Sequence, residues 1–187
     1  RQTTALLLNV GCDISEKNAV LKHLSRVKGG QLRRSLGGCT VASLVISDVV
    51  GDALDVVASG PTVADPSSFR TALDVLHKYH IAHKVPKTCL DYLQRGASSH
   101  AKRPAETPGP SSLFAGDLAV VVASNHTAVT HAGARAKQLG FNTLLLGSCV
   151  EGLAPDVAKL LCGFVRSAKL YGQPVARPAA IICGGET

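Results

Sequence analysis

Asp48 and Asp52 stand four residues apart, just beyond an apolar, β-branched run from Val41 to Ile46. Such a run reads as a buried strand, and open α/β sheets bind ligands beyond the carboxyl ends of their strands. Two carboxylates placed there could share one Mg²⁺, which takes one or two carboxylates alongside phosphate oxygens. One of them could instead polarise a substrate hydroxyl. The plainer alternative has Asp48 capping a turn and Asp52 solvated. Ser47 lacks a G-x-S-x-G setting and so does not read as a hydrolase nucleophile. Asp55 reads as surface.

Two neighbouring segments could meet an anion. Ser59-Gly60-Pro61-Thr62 could turn backbone N–H groups toward it, or could be a simple β-turn around Pro61. Lys28-Gly29-Gly30 joins a cation to two permissive residues and could hold a carboxylate or a phosphate. It could equally close a helix, with Lys28 on the dipole and glycine as the cap. No G-x-x-x-x-G-K-[ST] or G-x-G-x-x-G occurs, so a nucleotide site would use other glycines. His77, His80 and His83 are spaced three apart and read as a solvated helix face rather than a metal site.

These residues need strands and helices to hold them. Asp13 and Glu16 form a potential capping box, followed by Val20, Leu21, Leu24 and Val27 at helical spacing, with Gly29-Gly30 as the stop. Strand 41–46 follows. Asp65-Pro66 reads as N-cap and first helical residue, with Leu73, Leu76 and Tyr79 on the buried face. A short helix is predicted from Pro86 to Gly96. The Ser-, Pro- and Gly-rich stretch 96–116 reads as an exposed, mobile loop.

Two β-α units follow. Strand 118–122 ends at Ser124-Asn125, and the next helix carries Val129, Ala132, Ala136 and Leu139. Strand 142–146 ends at Gly147-Ser148, and a helix from about Pro155 should bury Val157, Leu160, Leu161, Phe164 and Val165. Strand 179–182 ends at Gly184-Gly185. Alternation of this kind implies an α/β fold, a parallel sheet with right-handed crossovers and helices on both faces. Four strand ends would then share one edge, bearing Asp48, Ser124-Asn125, Ser148 with Glu151, and Gly184-Gly185-Glu186.

Bulk properties narrow the function classes. The 187 residues suffice for one α/β domain with a core, and 45% hydrophobic against 18% charged residues excludes disorder. No apolar run approaches the roughly 18 residues of a membrane span. The net charge of +7 is scattered, apart from Arg33-Arg34 near Lys22, Arg26 and Lys28. With four Phe, three Tyr and no Trp to stack on bases, attraction of small anions is the expectation, not nucleic-acid binding. The six cysteines lack C-x-x-C spacing, and reduced, mostly buried thiols are expected, as in an intracellular protein. The chain contains no Met and stops directly after an apolar strand, which suggests a piece of a longer protein.

The linked segments His23-Leu-Ser-Arg-Val-Lys-Gly-Gly30, Ser47-Asp-Val-Val-Gly-Asp52 and Ala58-Ser-Gly-Pro-Thr62 resemble the glycerate kinases that carry a C-terminal MOFRL domain, the glycerate 2-kinase type. Gly11-Cys-Asp-Ile14, Ala123-Ser-Asn125, Glu151-Gly152 and Gly184-Gly-Glu-Thr187 extend the resemblance along the chain. It implies phosphoryl transfer from ATP to D-glycerate with Mg²⁺, in a cytoplasmic or mitochondrial protein for which a homodimer is one conceivable assembly. Residues 1–187 would be part of a Rossmann-like N-terminal domain, the incomplete first domain of a two-domain protein, with the MOFRL domain outside this chain.

By that resemblance, Asp48 and Asp52 would orient the hydroxyl or hold Mg²⁺, and Lys28 with Gly29 and Gly30 would take the glycerate carboxylate or a phosphate. Ser59, Gly60 and Thr62 would line the anion site, while Ser124, Asn125, Gly184, Gly185 and Glu186 would shape the cleft. Three positions depart from the family pattern: Leu21 replaces an Arg, Ala53 an Asp and Leu153 a Glu. An Arg supplies a bidentate fork suited to carboxylate or phosphate. A non-catalytic or decayed module that binds a nucleotide or anion is therefore the alternative reading.

Overall fold

The computed structural model describes all residues, 1–187. Its elements run α1 (Gln2–Asn9), α2 (Ile14–His23), α3 (Gln31–Ser35), β1 (Ala42–Ile46), α4 (Phe69–Lys78), α5 (Lys87–Ala97), β2 (Leu118–Ala123), α6 (Asn125–Gln138), β3 (Asn142–Glu151), α7 (Ala154–Tyr171) and β4 (Ala179–Glu186). The fold is mixed α/β with parallel strands, as the alternating pattern predicts. The strands pair as β1–β2 and β3–β4. The chain divides into two units: residues 1–43 with 54–120, and residues 44–53 with 121–187.

The first unit is built on helices. Leu7 of α1, Val20 of α2, Phe69, Leu73 and Leu76 of α4, and Leu93 of α5 form one buried cluster. Burying side chains of this size stabilises by about 1.5–3 kcal/mol each. The apolar spacing of α2 is only partly realised: Val20 is buried, Leu21 and Leu24 flank the cluster, and Val27 is half exposed. Helix α2 stops at His23, well before the glycines expected to end it. At its start, Asp13 accepts from the N–H groups of Ser15 and Glu16. Glu16 does not return the bond of a capping box; its carboxylate instead meets Lys78 at the end of α4 and the hydroxyl of Tyr79, the residue that follows it.

Helix α4 begins three residues later than Asp65-Pro66 suggests. Ser68 is its N-cap, accepting from Thr71 N–H. Asp65 is drawn away from capping because its carboxylate lies buried against Lys22. The stretch 96–116 is also less free than its composition implies. Thr107 is buried, and Glu106 accepts from the N–H groups of Phe69 and Thr107 while meeting His23. A polar composition thus conceals a clamp across α2 and α4.

The second unit sets α6 on the pair β3–β4. Its strands are longer than the apolar runs alone indicate, because pairing continues through register shifts to Val150↔Gly185 and Glu151↔Glu186. Gly184, Gly185 and Glu186 therefore lie within β4 and not in a strand-end loop. Any Cβ on Gly185 would collide with the Val150 backbone, so the bulged register requires glycine there. Helix α7 buries less than its periodicity predicts. Ala168 is buried, but Leu160 and Val165 are exposed.

All six cysteines are free, and Cys39, Cys149 and Cys162 are exposed, which corrects the expectation of mostly buried thiols. The basic residues near Arg33-Arg34 do not form one patch either. Lys22 and Arg33 are buried in separate ion pairs, with Asp65 and Asp117 respectively. No helix is long and apolar enough to cross a membrane.

Candidate functional site

Within the first unit, two loops are strapped together by backbone. Gly29 N–H donates to Ser59 C=O at 2.9 Å, and Gly30 N–H donates to Gly60 C=O at 2.8 Å. Side chains reinforce the strap: Lys28 Nζ donates to Ser59 Oγ at 3.2 Å. Ser59 Oγ in turn donates to Asn18 Oδ1 at 2.9 Å. Thr62 lies further along the same loop and shares a 2.8 Å hydrogen bond with Ser43 of β1. The residues singled out around Lys28, Ser59 and Gly60 are thus brought together, although 30 positions separate Gly29-Gly30 from Ser59-Gly60.

The turn that carries Ser59 is strained. Ala58, Ser59 and Gly60 all have positive φ, at 51°, 63° and 56°. Such conformations cost non-glycine residues of order 1 kcal/mol or more each and concentrate at functional sites. The N–H groups of Ser59 and Gly60 donate to Val56 and Val57 C=O at 2.8 and 2.9 Å. An anion turn offering those two donors is therefore not what forms. The facing glycines are set by close packing. A Cβ on Gly29 would lie 2.9 Å from Asp65 Oδ2, and one on Gly30 would lie 2.7 Å from Val63 C=O.

Beneath the strap lies an ion-pair cluster that sequence reading missed. Lys22 Nζ sits 3.1 Å from Asp65 Oδ1 and 3.4 Å from Asp55 Oδ2. Asp55 is a partner in this cluster and not plain surface. Burial alone would raise the Asp65 pKa, but the Ser67 N–H and O–H donors and the Lys22 ammonium outweigh it. They hold the carboxyl below its ordinary value. One signal was present in the sequence: Asn18 and Lys22, at i and i+4, put two polar groups on one face of α2.

In the second unit, Asp48 is exposed and follows β1, whereas Ser47 is buried and its N–H continues the ladder to Ala123 C=O at 2.8 Å. Asp52 sits at φ 55° in the turn that follows. Ser124 is the N-cap of α6 and accepts from Thr127 N–H. Asn125 Nδ2 reaches Gly185 C=O at 3.5 Å, and a Cβ on Gly184 would lie 3.4 Å from Asn125 Oδ1. Asn125, Val150, Cys183, Gly184, Gly185 and Thr187 help line a cavity of about 460 Å³. His77, His80 and His83 are exposed.

The family described as "Domain of unknown function (DUF4147)" matches residues 1–94, half of the chain. The chain belongs to this family. It is 36% identical over 185 residues to the Glycerate 2-kinase of Pyrococcus horikoshii, covering 99% of this chain and 41% of that protein. It is also 38% identical over 187 residues to a protein of Agrobacterium vitis named "Putative hydroxypyruvate reductase", covering 100% of this chain and 40% of that one. The crystal structure of glycerate kinase from Thermotoga maritima superposes with a TM-score of 0.76 at 31% identity, covering 98% of this chain and 41% of that chain. The chain therefore spans about two fifths of the length of these relatives. The resemblance read from the linked Lys28, Asp48 and Ser59 segments is borne out at the level of family.

Proposed function

We propose that the full-length protein is an ATP-dependent kinase that phosphorylates D-glycerate, with 2-phosphoglycerate as product. It would act in the cytoplasm or a mitochondrion and carry a MOFRL domain beyond these residues. Similarity along nearly the whole chain to proteins named as glycerate kinases carries this reading. Lys28 beside Ser59 and the exposed carboxylate of Asp48 are groups of the kind such a reaction uses.

Phosphoryl transfer asks a protein for positioning and charge stabilisation more than for covalent chemistry. Lys28 would hold the glycerate carboxylate or a phosphate, its ammonium fixed by Ser59 Oγ. Asp48 would orient the attacking hydroxyl and accept its hydrogen bond. Ser124, Asn125 and the β4 segment Gly184–Glu186 would shape the cleft. No group of three or more His, Cys, Asp or Glu residues forms a ready-made metal cage. The hard carboxylate oxygens of Asp48 and Asp52 nevertheless fit Mg²⁺, which takes one or two carboxylates and completes its shell with phosphate oxygens. Bound there, Mg²⁺–ATP would supply the phosphoryl group and neutralise its charge.

The name of the Agrobacterium relative motivates a second reading, hydride transfer to hydroxypyruvate, and the departures at Leu21, Ala53 and Leu153 motivate a third, binding without turnover. Leu21 packs against the apolar cluster of the first unit, and Leu153 is 73% exposed. One assay set separates the readings. Full-length protein with Mg²⁺–ATP should form ADP only when D-glycerate is present, with ³¹P NMR giving the phosphorylated carbon. Oxidation of NADH or NADPH by hydroxypyruvate would establish the reductase instead. ATP binding by calorimetry, without either reaction, would establish the non-catalytic module.

A further inference from the structure

The geometry points to Asn18 as the positioning residue for Lys28, acting through Ser59. Asn18 is buried, at 3% exposure, and both ends of its amide are committed. Its Nδ2 donates to Val56 C=O at 3.3 Å, and its Oδ1 accepts from Ser59 Oγ at 2.9 Å. A carbonyl can only accept and an amide nitrogen can only donate, so the amide has one orientation in this setting. That orientation claims the Ser59 hydroxyl proton. Toward Lys28, Ser59 Oγ is left with lone pairs alone, and Lys28 Nζ donates to it at 3.2 Å.

The polarity of the chain is therefore set from the buried end: amide oxygen, then hydroxyl, then ammonium. The Ser59 hydroxyl cannot turn its proton toward the ammonium and repel it. Val56 precedes the strained turn and Ser59 lies within it, so the amide also ties that turn to helix α2. One hydrogen bond spends one of three ammonium protons, leaving two for an incoming anion.

This inference rests on the reading of Lys28 as an anion ligand, and the experiment keeps the two apart. In full-length protein, Lys28→Met should raise KM for D-glycerate or for ATP. If it raises neither, the role given to Lys28 fails. Asn18→Leu, of similar size and unable to accept, should raise the same KM about tenfold, with kcat changed far less. In the Lys28→Met background, Asn18→Leu should add almost nothing to KM, because its effect runs through the ammonium. Ser59→Ala cuts the link on the other side and serves if Asn18→Leu does not fold; it should reproduce the same KM shift and the same loss of additivity. Effects that add fully to those of Lys28→Met, or a KM unmoved while only the melting temperature falls, would overturn the positioning role.

Discussion

Lys22 and Asp65 meet at 3.1 Å with side chains 3% and 0% exposed, 43 positions apart in sequence. Removing one partner from a buried pair strands the other charge, which costs about 3–5 kcal/mol. Lys22→Met strands Asp65 and should lower stability on that scale in urea unfolding, whereas Asp65→Asn leaves Lys22 paired with Asp55 and should cost less. Replacing both with apolar residues should cost clearly less than the sum of the two single losses, because the one carboxylate then left without its partner, Asp55, is 34% exposed. A strictly additive pair would show that the contact contributes nothing specific.

The same carboxylate gives the protein an acid limb. Asp65 has a folded pKa held below its ordinary value of 3.8. The unfolded chain therefore binds its proton first as pH falls. The stability it contributes is fully present above that value and is lost as pH drops through the folded pKa. Glu16, lowered by hydrogen bonds from Lys78 and Tyr79, acts in the same direction. Urea midpoints should fall below about pH 4, and Asp65→Asn should flatten that fall while lowering the plateau at neutral pH.

Cysteine reactivity should divide the six thiols. Cys12 is pushed up to about 11 by burial and by the nearby Glu16 and Asp13 carboxylates, so it carries almost no thiolate at pH 8. Cys39, Cys149 and Cys162 are exposed. Iodoacetamide followed by peptide mapping should label these three rapidly and leave Cys12 unmodified until the chain unfolds. Fast labelling of Cys12 in the native state would contradict its environment.

The fold class and the linked motifs were legible because they are local. Apolar runs marked β1 to β4, and Lys28-Gly29-Gly30 and Ser59-Gly60 were visible as short strings. What escaped is non-local. Asp65 carries a helix-start signature with Pro66, yet tertiary burial against Lys22 overrides it and hands the cap to Ser68. Glu106 lies in a stretch whose composition reads as loop, and only its distant partners, His23 and Phe69 N–H, show it as an anchor. The extensions of β3 and β4 were hidden by bulges, which break the apolar period without ending the pairing. Of the site, sequence indicated Lys28 and Ser59 but not the bond between them, nor Asn18 beneath.

Leu153 occupies the N-cap of α7 in extended geometry, makes no side-chain cap and is 73% exposed. Leu is a poor N-cap, while Asp would accept from the Asp156 N–H, Pro155 having none, and would complement the helix dipole. Leu153→Asp should stabilise the second unit by about 1 kcal/mol. Slower amide exchange across the start of α7 would locate the effect; unchanged exchange there would refute it.

Asp48 offers the sharpest separation of function from folding. It is exposed at the end of β1, so Asp48→Asn should alter stability by less than about 0.5 kcal/mol. If its carboxylate orients the glycerate hydroxyl or holds Mg²⁺, the same substitution should lower kcat/KM of the full-length protein by about a hundredfold or more. Asp55→Asn should behave in the opposite way. Its carboxylate is spent on Lys22, so the variant should lose stability while its kcat stays close to the parent's once folded. Both variants need only urea midpoints and a coupled ADP assay. An unchanged kcat/KM in Asp48→Asn would remove this residue from the proposed chemistry and leave Asp52 as the carboxylate to test.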